Sequence, residues 1–350
     1  MIQGRKILIT GGTGTLGRAL ISEILKYEPK VVRVFSRDEA KQFDLQFDLN
    51  KHKNTRYLLG DIRDRDRVMR AMEDIDIVFH AAALKHVPSC EYNPFEGVKT
   101  NIIGTQNVIE AALTNRVSKV IYTSSDKAIS PTNTMGATKL VAERLISAAD
   151  YYKGTSNTVF AAVRFGNVMG SRGSVIPLFK KQIQAGGPLT VTLPEMTRFM
   201  MSLSQAVMLT LEAARRAKGG EIFVLKMPVI RLGDLAEIMV EEFAPLCGFR
   251  PHEIPVETIG LRPGEKMYEE LMTTEEARFA MEFPNMFAIP PSYELKHYTY
   301  KGAQQAEVKT YRSDEVAPLN KAQLRQLLYK EELLERRKQK AEAGIRKAVN

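Results

Sequence analysis

A glycine-rich turn near the start of the chain constrains the fold more than any other feature. Residues 5–10 read as a short apolar strand, and residues 18–26 carry apolar side chains at helical spacing. The sequence Gly-Gly-Thr-Gly-Thr-Leu-Gly lies between them at 11–17. Glycines here let the backbone turn tightly and approach a pyrophosphate, which the following helix start would bind. The motif predicts a dinucleotide site formed by Gly11, Thr13, Gly14, Thr15, Leu16 and Gly17.

Strand and helix patterns alternate through the first half of the chain. The predicted strands lie at 5–10, 31–35, 55–59, 75–80, 119–123 and 159–164. The predicted helices lie at 18–26, 64–73, 94–114 and 135–152. Such alternation is typical of an α/β fold with a doubly wound parallel sheet of the Rossmann type.

The pattern changes near residue 167, where Gly and Pro become frequent. We expect residues 1–166 to form the dinucleotide-binding domain, to which 196–226 return. Residues 167–195 and 227–320 are expected to form a smaller α/β lobe that binds the substrate.

A polar helix is predicted at the C-terminal end, over residues 321–350. From Lys330 to Lys347 it holds seven basic and four acidic residues. Such a charge run is typical of a solvated terminal helix, and a contact with nucleic acid or a membrane is the alternative.

Composition excludes several classes of protein. The 350 residues are 44% hydrophobic and 26% charged, as in globular chains, and no run approaches the ~18 apolar residues of a membrane span. The first residues lead straight into a strand, so we expect neither a signal segment nor secretion. Two cysteines and five histidines without zinc spacing predict a reducing, cytoplasmic location and no metal. The net charge of +9 suits an anionic small substrate, and we expect no nucleic-acid partner.

The residues after the second predicted strand bear on the choice of cofactor. Ser36 and Arg37 come first, and Asp38 follows. A carboxylate at this place binds the adenosine ribose of NAD, whereas an arginine accommodates the 2′-phosphate of NADP. The order favours NADP, with NAD as the alternative.

Two further segments follow predicted strands and are expected to contact the cofactor. Asp61 and Ile62 are placed to contact adenine. Ala81, Ala82 and Ala83 supply small residues where the backbone passes close to the cofactor, although tight packing alone would also explain them.

A polar segment follows the strand at 119–123. Asp126 and Lys127 are adjacent at the carboxyl end of this strand, where ligands bind in such sheets. An acid and a base there could divide the work of an elimination, and a surface ion pair is the alternative. Met135 and Lys139 are four residues apart, so they share one face of the next helix.

This arrangement resembles the extended short-chain dehydrogenase/reductase superfamily. A Ser/Thr, a Tyr and a Lys four residues after the Tyr form the catalytic set of that superfamily. Here Ser125 and Lys139 fit, but Met135 stands in place of the Tyr.

A narrower family shares this departure. The chain resembles the inverting UDP-N-acetylglucosamine 4,6-dehydratases of bacterial capsule, O-antigen and flagellar-sugar synthesis, whose capsule branch commonly has Met at this position. Family-like stretches are 83–88, 125–128, 165–168, 173–175, 196–199 and 262–266.

The resemblance implies site residues and a reaction. Ser125, Asp126, Lys127, Met135 and Lys139 would form the catalytic set, with Lys139 and Lys85 also at the cofactor. The implied substrate-binding residues are Lys85, Asn167, Arg172, Ser174, Val175, Arg198, Arg262 and Glu265. The reaction would convert UDP-N-acetylglucosamine to a UDP-2-acetamido-2,6-dideoxy-4-hexulose with inversion at C5. NADP would take the C4 hydride and return it at C6, and Lys127 would remove the C5 proton.

Two other functions fit the same sequence. A nucleotide-sugar 4-epimerase shares the fold and cofactor but usually keeps the Tyr. A catalytically dead NADP-binding regulator would also tolerate Met135. The family often forms hexamers, so the resemblance implies a homo-oligomer.

Overall fold

The structure, a computed structural model, describes residues 1–262, 264–291 and 298–335. Its helices α1–α12 are Thr15–Leu25, Glu39–Asp48, Arg65–Met72, Val87–Tyr92, Pro94–Gly97, Gly104–Thr114, Thr134–Tyr152, Val175–Gln184, Leu203–Arg216, Leu232–Phe243, Thr274–Ala277 and Lys321–Lys330. Its strands β1–β17 are Lys6–Thr10, Val31–Ser36, Thr55–Leu59, Ile77–His80, Lys119–Thr123, Val159–Arg164, Asn167–Val168, Leu189–Val191, Thr197–Met201, Ile222–Leu225, Val229–Arg231, Val256–Thr258, Glu270–Met272, Met281–Glu282, Met286–Ile289, Gln304–Gln305 and Tyr311–Arg312. The chain divides into two compact units.

Unit 1 comprises Met1–Gly166, Leu203–Lys226 and Glu270–Tyr311. Among the described residues, ten of its strands form one sheet in the order β16-β14-β15-β10-β6-β5-β4-β1-β2-β3. All neighbours from β3 to β10 are parallel, and β15 joins β10 in antiparallel orientation. The predicted α/β fold with a large parallel sheet is confirmed.

The central strands of this sheet are apolar because both of their faces are covered. Every residue of β4 is buried, and so is every residue of β5 after its first. In register, Thr10 lies opposite His80, and His80 lies opposite Tyr122. The segments that follow β1, β4 and β5 therefore leave the sheet at the same edge.

Unit 2 comprises Asn167–Ser202, Met227–Glu269 and the described residues from Arg312 onwards. Strands β7, β9 and β11 form one small sheet, and β8 pairs with β12 in parallel. Helices α8, α10 and α12 contribute Ile176, Leu235 and Leu324 to one apolar core.

This division differs from the expected one in two places. Residues 196–202 belong to unit 2, because β9 pairs with β7 and β11 there. The segment Glu270–Tyr311, expected in the smaller lobe, belongs to unit 1. Its strand β15 is fully buried and extends the large sheet beyond β10, which periodicity within the segment cannot reveal.

The described terminal helix, Lys321–Lys330, packs one face against unit 2, so it is not the solvated helix that was expected. It begins after Asn320, whose side chain accepts a hydrogen bond from the Gln323 amide, and its Leu324 and Leu328 are fully buried. The part of the predicted helix at 336–350 lies outside the described residues. In the described parts of the chain, no helix is long and apolar enough to cross a membrane.

Candidate active site

The glycine turn after β1 is packed so closely that side chains are excluded. Gly11 has a φ of +66°, and a Cβ on it would lie 2.8 Å from the Ala82 Cα. A Cβ on Gly17 would overlap the carbonyl oxygen of Gly11. Both contacts are with backbone, which cannot move aside as a flexible side chain would. The turn thereby brings two predicted cofactor segments, 11–17 and 81–83, into contact.

The start of α1 retains the positive end of its helix dipole. The N-cap is Gly14, which has no side chain to cap the helix, and no acidic residue lies in the first turn. Thr13 is buried beside this start, and Thr15 and Leu16 form its first residues. This arrangement suits an anion such as a pyrophosphate.

Asp38, at the end of β2, is engaged in capping α2. Its carboxylate accepts a hydrogen bond of 3.0 Å from the Lys41 amide and pairs with the Lys41 ammonium group. The side chain of Arg37 is exposed, and its Nη1 lies 3.6 Å from Asp61 Oδ2. Ser36 accepts hydrogen bonds from the buried Gln42 through its carbonyl oxygen and its hydroxyl.

Asp61 is held as a carboxylate by two arginines. Burial raises its pKa, but hydrogen bonds from Arg63 and the charges of Arg63 and Arg37 outweigh this and lower the pKa below its ordinary value. Ile62 is buried, and its Cδ1 would lie 2.7 Å from a Cβ on Gly104. Ile62 therefore packs against the start of α6, and Asp61 presents charge beside Arg37.

The loop after β4 is fixed by Asn101, which the sequence analysis did not identify. The Asn101 side chain accepts from the Leu84 amide at 2.8 Å and donates to the Leu84 carbonyl at 3.0 Å. It also donates to the Thr138 hydroxyl at 2.9 Å. This places Ala83 and the exposed Lys85 beside α7. The sequence offered no signal for it, because Asn101 is one of several polar residues in the stretch 94–114, which also holds Thr100 and Asn107.

Ser125, Asp126 and Lys127 form one hydrogen-bonded turn after β5. The Ser125 hydroxyl donates to Asp126 Oδ1 at 2.7 Å, and Lys127 Nζ lies 2.9 Å from Asp126 Oδ2. The Asp126 side chain is only 2% exposed, whereas that of Lys127 is 34% exposed. The pair is therefore not a solvated surface ion pair: the acid is buried and the amine faces outwards.

Met135 lies in the first turn of α7, directly against this segment. It is buried, and the preceding Asn133 caps the helix by accepting from the Gly136 amide at 2.8 Å. A Cβ on Gly136 would overlap the carbonyl oxygen of Lys127. A thioether can pack here but cannot exchange a proton.

Lys139 is buried one turn further along α7. Its Nζ donates to the Thr123 carbonyl at 2.6 Å and lies 4.4 Å from the centroid of the Tyr122 ring. Burial lowers the pKa of Lys139 to about 7, although the charge of Glu143 opposes the shift. Burial, followed by the charge of Lys139, lowers the pKa of His80 to about 3, so this histidine is neutral.

In unit 2, the predicted substrate residues line a cavity of about 260 Å³ at the start of α8. Ser174 is the N-cap of α8, yet its hydroxyl is buried and has no hydrogen-bond partner among the described residues. Val175 opens the helix, whose first turn has no acidic residue. The lining includes Asn167, Ser174, Val175, Arg198, Arg262 and Glu265. The exposed Arg172 lies two residues before the N-cap and is not part of this lining.

Arg198 differs from the free anion ligand that was expected. Its guanidinium donates to the carbonyl oxygens of Thr197, Lys266 and Met267 at 2.8–3.2 Å, and its Nε lies 3.4 Å from Glu269. The guanidinium N–H groups of Arg198 thus donate within unit 2. Arg198 can still attract an anionic ligand through its positive charge.

Glu269, which sequence reasoning missed, joins several of these residues. Its carboxylate accepts from the Asn167 amide group at 2.7 and 2.8 Å and from the Phe199 amide at 3.1 Å. In the next loop, Glu265 accepts from the Arg262 backbone amide at 3.4 Å, and the Arg262 side chain is exposed. Glu269 lies three residues beyond the family-like stretch 262–266, and no local pattern in the sequence marks it.

Comparison with known proteins identifies the family. The chain matches the polysaccharide biosynthesis protein family over residues 7–291. It belongs to this family. A solved structure of Pen from Bacillus thuringiensis is similar to this family member, with 56% identity, a TM-score of 0.91, and coverage of 96% of this chain and 100% of the other.

Two curated relatives bear on the chemistry. A UDP-N-acetylglucosamine 4,6-dehydratase (inverting) of Campylobacter jejuni is 44% identical over 84% of this chain and 85% of its own length. A UDP-glucose 4-epimerase of Rickettsia typhi is 40% identical over 94% of this chain and 96% of its own length. The predicted resemblance of this family member to the inverting dehydratases is confirmed.

Proposed function

We propose that the protein is a UDP-N-acetylglucosamine 4,6-dehydratase that produces a UDP-2-acetamido-2,6-dideoxy-4-hexulose, with inversion at C5. The observation that carries this proposal is the turn in which a buried carboxylate, Asp126, holds an outward-facing amine, Lys127. An acid and a base within 3 Å suit an elimination. The dehydratase relative from Campylobacter supports the same assignment.

NADP is the proposed cofactor, and the residues of unit 1 fit it. The glycine turn packs so closely that a Cβ on Gly11 would clash with the Ala82 backbone, and the start of α1 suits the pyrophosphate. Arg37 would bind the 2′-phosphate, Asp61 and Ile62 would lie at adenine, and Ala81–Ala83 would let the backbone pass close. The chemistry that NADP supplies when bound is removal of hydride from C4 and its return at C6.

The chain's own groups would move the protons. A proton would first pass from Lys127 to Asp126 across their 2.9 Å contact, which leaves a neutral amine and a protonated acid. Lys127 would then take the C5 proton, which a 4-ketone acidifies. Asp126, held by Ser125, would give its proton to the departing C6 hydroxyl, which leaves as water. Lys139 donates one of its three N–H groups to the Thr123 carbonyl. It would hold the nicotinamide ribose with the others. Met135 would supply packing alone.

The cavity of unit 2 is proposed to bind the diphosphate. The unpartnered hydroxyl of Ser174, the start of α8 and the exposed Arg262 offer donors and positive charge. Asn167, Arg198 and Glu265 would shape the site, and Arg172 would add positive charge near it. Lys85 of unit 1 is a further proposed ligand of the cofactor and the substrate.

Product analysis tests the proposal. Purified protein with NADP and UDP-N-acetylglucosamine should release one water per sugar, and NMR should show a 4-keto sugar without a C6 hydroxyl. A product of unchanged mass with an inverted C4 would establish the second candidate, a 4-epimerase, which the Rickettsia relative favours. Recovery of unreacted sugar from protein that binds NADP would contradict both.

Two substitutions separate the roles of Lys127 and Met135. Lys127→Ala should lower turnover by about 10²- to 10⁴-fold, because a positioned base is lost. Met135→Leu, which conserves volume, should keep most of the activity because Met135 transfers no proton. Steady-state kinetics with both variants would measure this. An inactive Met135→Leu variant that still folds would contradict the packing role.

We also propose a cytoplasmic location and a homo-oligomeric assembly, with the hexamer as one form. The chain has two cysteines, too few for a disulfide framework, as is usual in a reducing compartment. Light scattering of the purified protein would measure the assembly.

A further inference from the structure

A buried cluster of three charged side chains lies in unit 1 beside α7. Arg164, at the end of β6, donates to Glu143 at 2.6 and 3.2 Å and to Glu276 at 2.9 and 3.0 Å. Its remaining donor bonds to the Leu271 carbonyl at 2.8 Å. The side chains of Arg164 and Glu143 are 1% and 0% exposed, and that of Glu276 is 14% exposed. All five guanidinium N–H groups are thereby used.

The cluster is ionised and does not balance its own charge. Burial lowers the pKa of Arg164, but the charges of both glutamates outweigh this and raise it. Burial raises the pKa of Glu276, but the charge and hydrogen bonds of Arg164 lower it below its ordinary value. Arg144 also lowers the pKa of Glu276 by its charge, but Arg144 is exposed and water screens its effect. Among the buried groups, two carboxylates therefore face one guanidinium, and a negative charge remains in the interior that requires a partner.

Lys139 is placed to be that partner. It precedes Glu143 by four residues on α7, so the two side chains share one face of the helix. Its ammonium group is buried and has one carbonyl, that of Thr123, and the face of Tyr122 as its described contacts. The negative cluster and the ammonium group together form a neutral buried set.

The position of Glu276 is set by its own short helix. It is the third residue of α11, and it accepts from the Thr273 amide while Thr273 accepts from the Glu276 amide. This reciprocal cap fixes the carboxylate in front of Arg164. The segment that returns to unit 1 at Glu270 thus delivers a charge to the helix that carries Lys139.

We propose that Glu276 is a positioning residue: through Arg164 and Glu143 it keeps a net negative charge beside Lys139 and so maintains the ammonium form that holds the nicotinamide ribose. The role of Lys139 rests on the proposed function. Glu276 touches neither Lys139 nor the reacting atoms, and it acts through Arg164 and Glu143.

The other groups around Lys139 do not supply this charge. His80 of β4 is neutral, and Tyr122 of β5 has a pKa raised by burial and by the charge of Glu143. In the turn packed against α7, Asp126 and Lys127 pair with each other. The net charge of the Arg164 cluster therefore opposes the effect of burial on Lys139.

The test removes the charge and keeps the cap. Glu276→Gln retains the reciprocal cap, since Gln serves at this position as Glu does. Loss of one negative charge lowers the pKa of Lys139, so the ammonium form disappears at lower pH. NADPH binding, followed by fluorescence from pH 6 to 10, should weaken at a pH lower than in wild type by roughly half to one unit, assuming a dielectric of about 20.

Matched variants separate this role from a structural one. Glu275→Gln changes the neighbouring, exposed residue, which pairs with Arg278, and should leave the pH midpoint unchanged. Glu276→Asp keeps the charge and should restore most of the wild-type midpoint. Glu143→Gln removes a charge from the other side of Arg164 and should shift the midpoint in the same direction, which covers failure of Glu276→Gln to fold.

The outcomes are distinguishable. A folded Glu276→Gln variant that binds NADPH with the wild-type midpoint overturns the inference and leaves the proposed function intact. An equal shift in Glu275→Gln also overturns it. Absence of NADPH binding by the wild-type protein overturns the proposed function and this inference together.

Discussion

Arg37 and Asp38 are adjacent in the chain but have different roles. Asp38 caps the start of α2 and pairs with Lys41, so its carboxylate has a structural role. Arg37 is exposed, and within the described part of the chain its ion-pair partner is Asp61, at 3.6 Å. The side chain that a 2′-phosphate needs is therefore the accessible one.

Arg37→Ala should weaken NADP binding much more than NAD binding. One charge-assisted contact is worth roughly 1.5–3 kcal/mol, or about 10- to 150-fold in affinity. Isothermal titration with both cofactors would measure the two losses. Arg70→Ala is a suitable control, since Arg70 is exposed and pairs with Glu73 on α3. Equal losses for NADP and NAD would remove Arg37 from this role.

For single residues, the sequence identified which side chains belong to the candidate site better than it identified what each one contacts. Asp126 was predicted as an acid and Lys127 as a base, and the structure holds them in one turn. Arg198 was predicted as an anion ligand, but its donors are taken by backbone carbonyls from distant segments. Such contacts depend on how the chain returns on itself, so neither spacing nor local composition predicts them. Arg164 and Glu276 were missed for the same reason.

Helix α7 shows what a local pattern can predict for a whole element. Its helical spacing, its polar start and the shared face of Met135 and Lys139 were all readable from the sequence. The π-helical stretch Val98–Ile103 was not, since residues 94–114 read as one continuous helix. The close approach of Gly136 to the Lys127 carbonyl also had no local signal.

Gly136→Ala should destabilise the protein, against the usual effect of this change in a helix. Alanine ordinarily gains about 1 kcal/mol over glycine in a helix interior. Here its Cβ would overlap the Lys127 carbonyl oxygen, so α7 or the turn that holds Ser125, Asp126 and Lys127 must shift. We expect a lower melting temperature and lower turnover. Calorimetry and kinetics on the purified variant would measure both.

Gly97→Ala is the matched control for that substitution. Gly97 is also helical, and its added Cβ would meet Thr138 Cγ2 at an ordinary 3.6 Å. We expect it to be neutral or mildly stabilising. A Gly136→Ala variant as stable as Gly97→Ala would show that the close contact costs nothing.

At the scale of the whole molecule, each unit is assembled from three separated stretches of chain. The parallel part of the sheet was predictable because its strands are short apolar segments that alternate with helical patterns in the sequence. The antiparallel strands that extend it, β15 and β14, come from a segment more than 55 residues beyond β10. Their place depends on an edge that only the folded sheet provides.

The interleaved order of these stretches governs how the protein can fold during translation. Many proteins complete an N-terminal domain while the ribosome is still synthesising the next one. This chain cannot, because unit 1 lacks its last strands until residue 311 has emerged. At cellular synthesis rates the nascent chain waits on the order of 10 s between residues 166 and 311. The edge of β6 is open until β10 has been made, and the edge of β10 is open after that. An arrest-peptide series should therefore show its main folding force only after residue 311 leaves the exit tunnel. A strong force peak for chains ending near residue 166 would mean that the first stretch folds alone.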